Sequence, residues 1–160
     1  VDMIQLRDDE FNRTRRIGHN GTFNANPLSA AAGIKALELV ANTPVNDTAN
    51  IMATRLKNGL NDLLSRNEIP GCASGIASII YLRLGIDHEC STEVCSLSQK
   101  QLHSSNDPTR SDQFNLALYS HGVDAGYRFI LGAKHTEQDI DHTIAAVEVA
   151  LSDIRTEGLI

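Results

Sequence analysis

Tryptophan is absent from this 160-residue sequence, and only 4% of its residues are aromatic. No run of about 18 apolar residues occurs, which rules out a membrane-spanning helix within the sequence. Positive charge is also short. Fourteen Lys and Arg stand against twenty Asp and Glu, for a formal net charge of −6. A nucleic-acid reader needs a basic face, so that partner class is excluded. Cysteine is limited to Cys72, Cys90 and Cys95. An odd set offers no paired framework, so reduced thiols are expected. No secretory signal opens the chain, and a cytoplasmic location follows as the expectation. The first residue is Val1, and Asp2 to Leu6 reads as the tail of a helix already under way. A fragment is therefore expected. Internal repeats and low-complexity tracts are absent. No histidine stands in a serine and acid arrangement that would mark a hydrolase triad.

The length suits a single hydrophobic core. Residues 7–20 are polar and charged and read as a solvated loop. Leu28 to Val40 is a strong helix former with Gly33 as its weak point, and a helix over about 27–41 is predicted. Asn42-Thr43-Pro44 breaks it, and Thr43 caps a second helix with Pro44 at its first position. Val45, Ile51, Met52, Leu56, Leu60, Leu63 and Leu64 recur at helical spacing to about residue 66. From Ser74 to Leu84 side chains alternate, Ile76, Ser78, Ile80, Leu82 and Leu84 one way and Ala77, Ile79, Tyr81 and Arg83 the other, which predicts a strand. Residues 85–110 read as a long loop with one short helical turn. A short helix is predicted over Gln113 to Ser120, stopped by His121-Gly122. One or two short strands follow, at Val123 and over Tyr127 to Ala133. Thr136-Glu137-Gln138-Asp139 forms a capping box with aspartate in the usual glutamate position. Ile140, Ile144, Val147, Leu151 and Ile154 then carry an amphipathic helix to about Arg155. This order is not alternating βαβ. It predicts an α+β fold, a small antiparallel sheet covered by helices.

The stretch from His19 to Pro27 is the best candidate for a ligand site. Asn26 suits an N-cap and Pro27 the first helical position. Gly21 lets the backbone approach a ligand, and Thr22 brings a hydroxyl next to the helix start. Free N–H groups and the positive helix end would complete a phosphate site. By spacing alone, a capped helix start is only a capped helix start.

The run Gly21-Thr22-x-x-Ala25-Asn26-Pro27, followed by Ala30-Ala31-Ala32-Gly33, resembles the G-T-x-x-G-N-P…A-A-G signature of the class III aminotransferases. These are fold-type-I pyridoxal-phosphate (PLP) enzymes, and the similarity is greatest to glutamate-1-semialdehyde 2,1-aminomutases. Ala25 stands where that family often has glycine. At the other end, Gly132-Ala133-Lys134-His135-Thr136-Glu137-Gln138-Asp139-Ile140-Asp141 is similar to the family's entry to its final helix. The resemblance covers residues 15–157 and implies the C-terminal small domain of a PLP fold-type-I transferase. Residues 1–26 would form an interface segment and cofactor-phosphate loop. Residues 27–160 would form the small domain with its leading helices, the large catalytic domain being absent.

The resemblance implies a homodimer in which Gly21 and Thr22 contact the phosphate of the cofactor bound to the neighbouring subunit. Arg15 and Arg16 would lie near that interface. It also implies that Arg128, eight residues before Thr136, pairs with the carboxylate of an amino-acid or amino-aldehyde substrate. The P-P-L that often follows this arginine in the family is missing. On the residues alone Arg128 reads equally as an exposed strand arginine. PLP chemistry needs a lysine for the Schiff base and an acid for the pyridinium nitrogen. Lys35, Lys57, Lys100 and Lys134 do not match the family's lysine, so no catalytic residue is assigned and the chain alone is expected to be inactive.

Two rival readings accompany this one. The apolar stripes of 45–64 and 140–154 would serve a non-enzymatic helical dimerisation module. His88, Cys90, Cys95 and His103 would form a zinc site, although C-x4-C lacks the usual tight knuckle. Cys72 reads as a small buried hydrophobe, and His19 as a turn histidine beside the phosphate motif.

Overall fold

The computed structural model describes residues 3–18, 21, 26–86, 88, 97–104, 107–126 and 128–160. The chain divides into two compact units, Val1–Asn42 and Thr43–Ile160. In the first, Met3 and Ile4 form a turn and not the end of a helix. The polar stretch expected to be a loop contains helix α1, Asp9–Thr14. Asp8 explains it: the carboxylate accepts from the Phe11 N–H at 2.8 Å, and Asp9 and Glu10 sit in the first turn where the helix dipole favours them. Arg16 donates through Nε to the Ile4 carbonyl at 3.0 Å. Helix α2 spans Pro27–Asn42 as predicted, running through Gly33, and none of its residues is buried.

The second unit holds the core. Helix α3, Val45–Arg66, carries Met52, Ala53, Leu56, Leu60, Leu63 and Leu64 on its buried face. It starts one residue later than Thr43 capping would require. Pro44 occupies the cap position with no side-chain hydrogen bond there. Ile51, read as part of the same stripe, is 62% exposed. Asn67 ends the helix, and Glu68 takes the left-handed turn at φ 53° that glycine would more often fill.

The single strand expected from Ser74 to Leu84 is a hairpin. Strand β1, Gly71–Ile76, pairs antiparallel with β2, Ile79–Leu84, and Ala77 turns the chain at φ 53°. A two-residue turn of this kind is usually announced by Asn or Gly. Ala77-Ser78 gives no such signal, and the alternation therefore reads straight through it. Beyond the turn the predicted alternation holds, with Ile80 and Leu84 buried and Tyr81 outward. Strand β3 is only Phe129–Ile130, shorter than predicted, and it pairs with β2 to give the sheet order β1-β2-β3.

Between β2 and β3 lie α4, Gln99–Ser104, and α5, Pro108–Ser120. Helix α5 starts five residues before the predicted Gln113. Asp107 caps it by accepting from the Arg110 N–H at 3.2 Å, and Pro108 fits the first turn. His121 and Gly122, at φ 78°, close it as expected. Helix α6, Glu137–Thr156, packs Ile140, Val147, Ala150, Leu151 and Ile154 into the core between α3 and α5. The two stripes read as dimerising faces thus meet each other inside this unit. That removes the surfaces on which the dimerisation reading relied. The α+β architecture with a small antiparallel sheet is the one predicted.

The capping box of α6 is formed. Thr136 Oγ1 accepts from the Asp139 N–H at 3.2 Å, and Asp139 Oδ2 accepts from the Thr136 N–H at 2.7 Å. The Thr136 backbone, then its hydroxyl, holds the Asp139 carboxyl below the usual aspartate value. A depressed folded-state value stabilises the fold above the ordinary aspartate range, and that contribution disappears as pH falls through the depressed value. Thr136→Ala is expected to cost about 1 kcal/mol at neutral pH. Asp139→Asn is expected to flatten the acid limb of stability against pH. Urea midpoints at pH 7 and pH 3 check both.

Candidate functional site

Asn26 organises the start of α2, and it does so differently from the expected open phosphate site. Its Oδ1 accepts from the N–H groups of Leu28 at 2.9 Å and Ser29 at 3.1 Å. Its carbonyl accepts from Ala30 at 2.9 Å, and Pro27 has no N–H. All four leading positions of the helix are thereby accounted for. The expectation of free helical N–H groups is corrected, because the Asn26 side chain takes them.

A phosphate near this end must therefore find its donors upstream of the helix. Gly21 is exposed, and its N–H has no hydrogen-bond partner among the described residues. Thr22, His19 and Ala25 lie outside the described residues. Of the Gly21–Thr22 pair expected to meet a phosphate, the described residues therefore include Gly21 alone.

Arg128 lies in the other unit, immediately before β3. It is exposed, and its N–H donates to the Ala125 carbonyl at 3.0 Å. No ion pair to its guanidinium occurs among the described residues. The lysines stand apart from any such site: Lys35 pairs with Glu38 at 2.9 Å, Lys57 lies on α3, Lys100 on α4, and Lys134 is exposed before α6.

Cys72 overturns one expectation. It is buried on β1 and disulfide-bonded, so its thiol is not free, and its partner lies outside the described residues. An odd cysteine count obscured this, because one bridge plus one remaining cysteine satisfies it equally. Cys90 and Cys95 of the zinc reading lie outside the described residues, and no metal-holding cluster occurs among the described ones.

One grouping was missed from the sequence. Arg83 on β2 donates through Nη1 to Ser74 Oγ on β1 at 3.0 Å, and its guanidinium carbon sits 5.1 Å from the centre of the Tyr81 ring. Ser74 is buried, at 3% exposure. The available signal was an arginine alternating with isoleucines in a strand. Reading that strand without its turn concealed the Ser74 partner.

No protein-family model matches the chain. Among curated proteins it is 33% identical over 135 residues to a glutamate-1-semialdehyde 2,1-aminomutase of Methanopyrus kandleri, a match covering 82% of this chain and 30% of that protein. Among solved structures it resembles a glutamate-1-semialdehyde aminomutase from Pseudomonas aeruginosa PAO1, with TM-score 0.71 and 16% identity over 88% of this chain and 31% of that one. An omega-transaminase from Sphaerobacter thermophilus gives TM-score 0.69 at 21% identity, over 88% and 31%. A transaminase solved with PLP bound gives 0.65 at 15% identity, over 91% and 32%. The structural likenesses establish the fold. The chain spans about a third of the length of the proteins it matches.

Proposed function

For a chain that corresponds to the C-terminal part of the class III, fold-type-I PLP-dependent aminotransferases, we propose a role as the cofactor-phosphate and substrate-closing portion of an aminomutase or aminotransferase. The observation that carries this is the continuous similarity to glutamate-1-semialdehyde aminomutase over 82% of the chain. The two motifs lie toward opposite ends of the chain, with the small antiparallel sheet between them. The reaction is transfer of an amino group between an amino compound and a carbonyl compound, or between neighbouring carbons of one molecule.

PLP, when bound, supplies the electron sink for that transfer. The residues of this chain supply contacts. In a homodimer, the Gly21–Thr22 backbone and the Thr22 hydroxyl would donate to the phosphate of the cofactor held by the partner subunit. Charge-assisted hydrogen bonds of this kind are short and strong. The α2 positive end adds favourable potential without direct donors, because Asn26 has taken those. Arg128 would hold a substrate carboxylate, for which a planar guanidinium is well shaped.

The covalent cofactor lysine and the pyridinium acid have no counterpart here, so the 160-residue chain by itself is expected to give no turnover. The assay is amino transfer with PLP, glutamate-1-semialdehyde and a panel of amino donors. Measurable product from the purified chain would contradict the assignment of no catalytic lysine.

A further inference from the structure

The sequence holds two Asn-Gly steps, Asn20-Gly21 and Asn58-Gly59. This dipeptide has a chemistry of its own. Glycine has no side chain to crowd its backbone nitrogen, which can therefore attack the side-chain carbonyl carbon of the preceding asparagine. The attack needs a nitrogen not engaged in a hydrogen bond and an asparagine free to rotate about ψ.

The two steps stand in opposite surroundings. Asn58-Gly59 lies inside the 22-residue α3, where helical hydrogen bonding engages the Gly59 N–H and fixes ψ of Asn58. A side chain on Gly59 would collide with Ile144 of α6, so packing explains that glycine. Asn20 lies outside the described residues. Its reaction partner, Gly21, is exposed, belongs to no helix or strand, and has no hydrogen bond from its N–H among the described residues. The helices before and after it, α1 and α2, contain no buried residue. Chain with so few buried apolar contacts opens locally at little free-energy cost.

We propose that Asn20-Gly21 is a self-deamidating site, which converts Asn20 to aspartate or isoaspartate without an enzyme. The Gly21 nitrogen loses its proton and forms a bond to Cγ of Asn20. The Cγ–Nδ2 bond breaks, and ammonia carries off the side-chain nitrogen together with that proton. Water then opens the cyclic imide at either carbonyl, leaving aspartate or the lengthened isoaspartyl main chain. One water is consumed, one ammonia is released, and nothing is oxidised or reduced. The product places a new carboxylate directly before Gly21 and Thr22, in a chain already at a formal net charge of −6. On the reading of those two residues given above, which this consequence rests on, that charge opposes a bound phosphate and the contact weakens as the chain ages.

The test incubates the 160-residue chain in heavy-oxygen water at pH 6 and pH 8 and follows both steps by peptide mass mapping. The expected result is solvent oxygen entering at Asn20, as a mixture of aspartate and isoaspartate, more than about tenfold faster than at Asn58. The rate is expected to be greater at pH 8, because the attacking nitrogen must first lose its proton. Gly21→Ala is expected to slow conversion at Asn20 and leave Asn58 unchanged, since the added Cβ crowds the nitrogen. In urea, where α3 is unfolded, Asn58 is expected to rise to the rate of Asn20. Equal rates in the native chain, aspartate with no isoaspartate, or a Gly21→Ala variant as fast as the parent would overturn the proposal. The consequence for the cofactor is read separately, in a full-length aminomutase carrying this sequence as its matched third. There Asn20→Asp is expected to weaken PLP binding about tenfold. Unchanged affinity in Asn20→Asp beside a loss in Thr22→Val would overturn the charge effect alone. Unchanged affinity in both would overturn the reading of Gly21 and Thr22 while leaving the modification standing.

Discussion

Replacing Leu60 by alanine is expected to destabilise the second unit by about 2 to 5 kcal/mol. Leu60 is fully buried on α3, in a core that also receives β1, β2 and α6. Removing its branched end loses the transfer energy of three carbons, and leaves a cavity that a helix fixed by contacts on two sides cannot collapse to fill. Domains of this kind are typically stable by only about 5–15 kcal/mol, so the loss is a large share of the total. Ile51→Ala is the matched control. Nine residues earlier on the same helix and 62% exposed, it is expected to change stability by no more than about 0.5 kcal/mol. Urea unfolding followed by far-ultraviolet circular dichroism separates the two. Equal losses at both positions would mean that the buried face of α3 is misassigned.

That pair also shows what the sequence carries and where it stops. Helical periodicity finds α3 and α6 because both bury one continuous stripe, and burial of a stripe is what periodicity measures. At 3.6 residues per turn Ile51 falls on the face opposite Leu60, so strict periodicity separates it from Met52, and counting it into the stripe was an error of spacing. The α6 capping box was legible because its chemistry is local: Thr136 and Asp139 satisfy each other within three residues. The hairpin was not, because Ala77 adopts a left-handed backbone that glycine or asparagine would have advertised. Asp107-Pro108, by contrast, was a readable cap and first turn hidden inside a polar stretch.

The candidate site divides in the same way. Gly21, Thr22 and Arg128 are candidates through resemblance alone, because spacing gives them no role. Asn26 was identified correctly as a cap, but the consequence was missed. A side chain that satisfies Leu28 and Ser29 removes those donors from any ligand. Arg83 went unnoticed because its partner Ser74 sits nine residues away on the far side of an unsignalled turn.

The second large effect concerns Thr22. In the proposed role the phosphate contact would fall on the Gly21–Thr22 pair, since Asn26 takes the N–H groups of Leu28 and Ser29 and leaves the first turn of α2 no substitute for the hydroxyl. A hydrogen bond to a charged group is worth about 1.5–3 kcal/mol. Thr22→Val, which keeps the shape and removes the donor, should therefore weaken PLP binding by roughly 10- to 100-fold. Asn26→Ala should have the opposite character. It frees two N–H groups, so it should lower helix stability by about 1 kcal/mol while leaving PLP affinity equal or improved.

These effects are measured most directly in a hybrid chain, in which this sequence replaces the matched third of the Methanopyrus kandleri aminomutase. The hybrid is first verified as folded by its unfolding transition, and PLP affinity is then read from cofactor absorbance for the parent hybrid and for Thr22→Val. The expected result is a hybrid that binds PLP and converts glutamate-1-semialdehyde, with the valine variant losing at least tenfold in cofactor affinity. A folded hybrid that binds PLP equally well with threonine or valine at position 22 would contradict the assignment of this chain as the phosphate-contacting part of the enzyme.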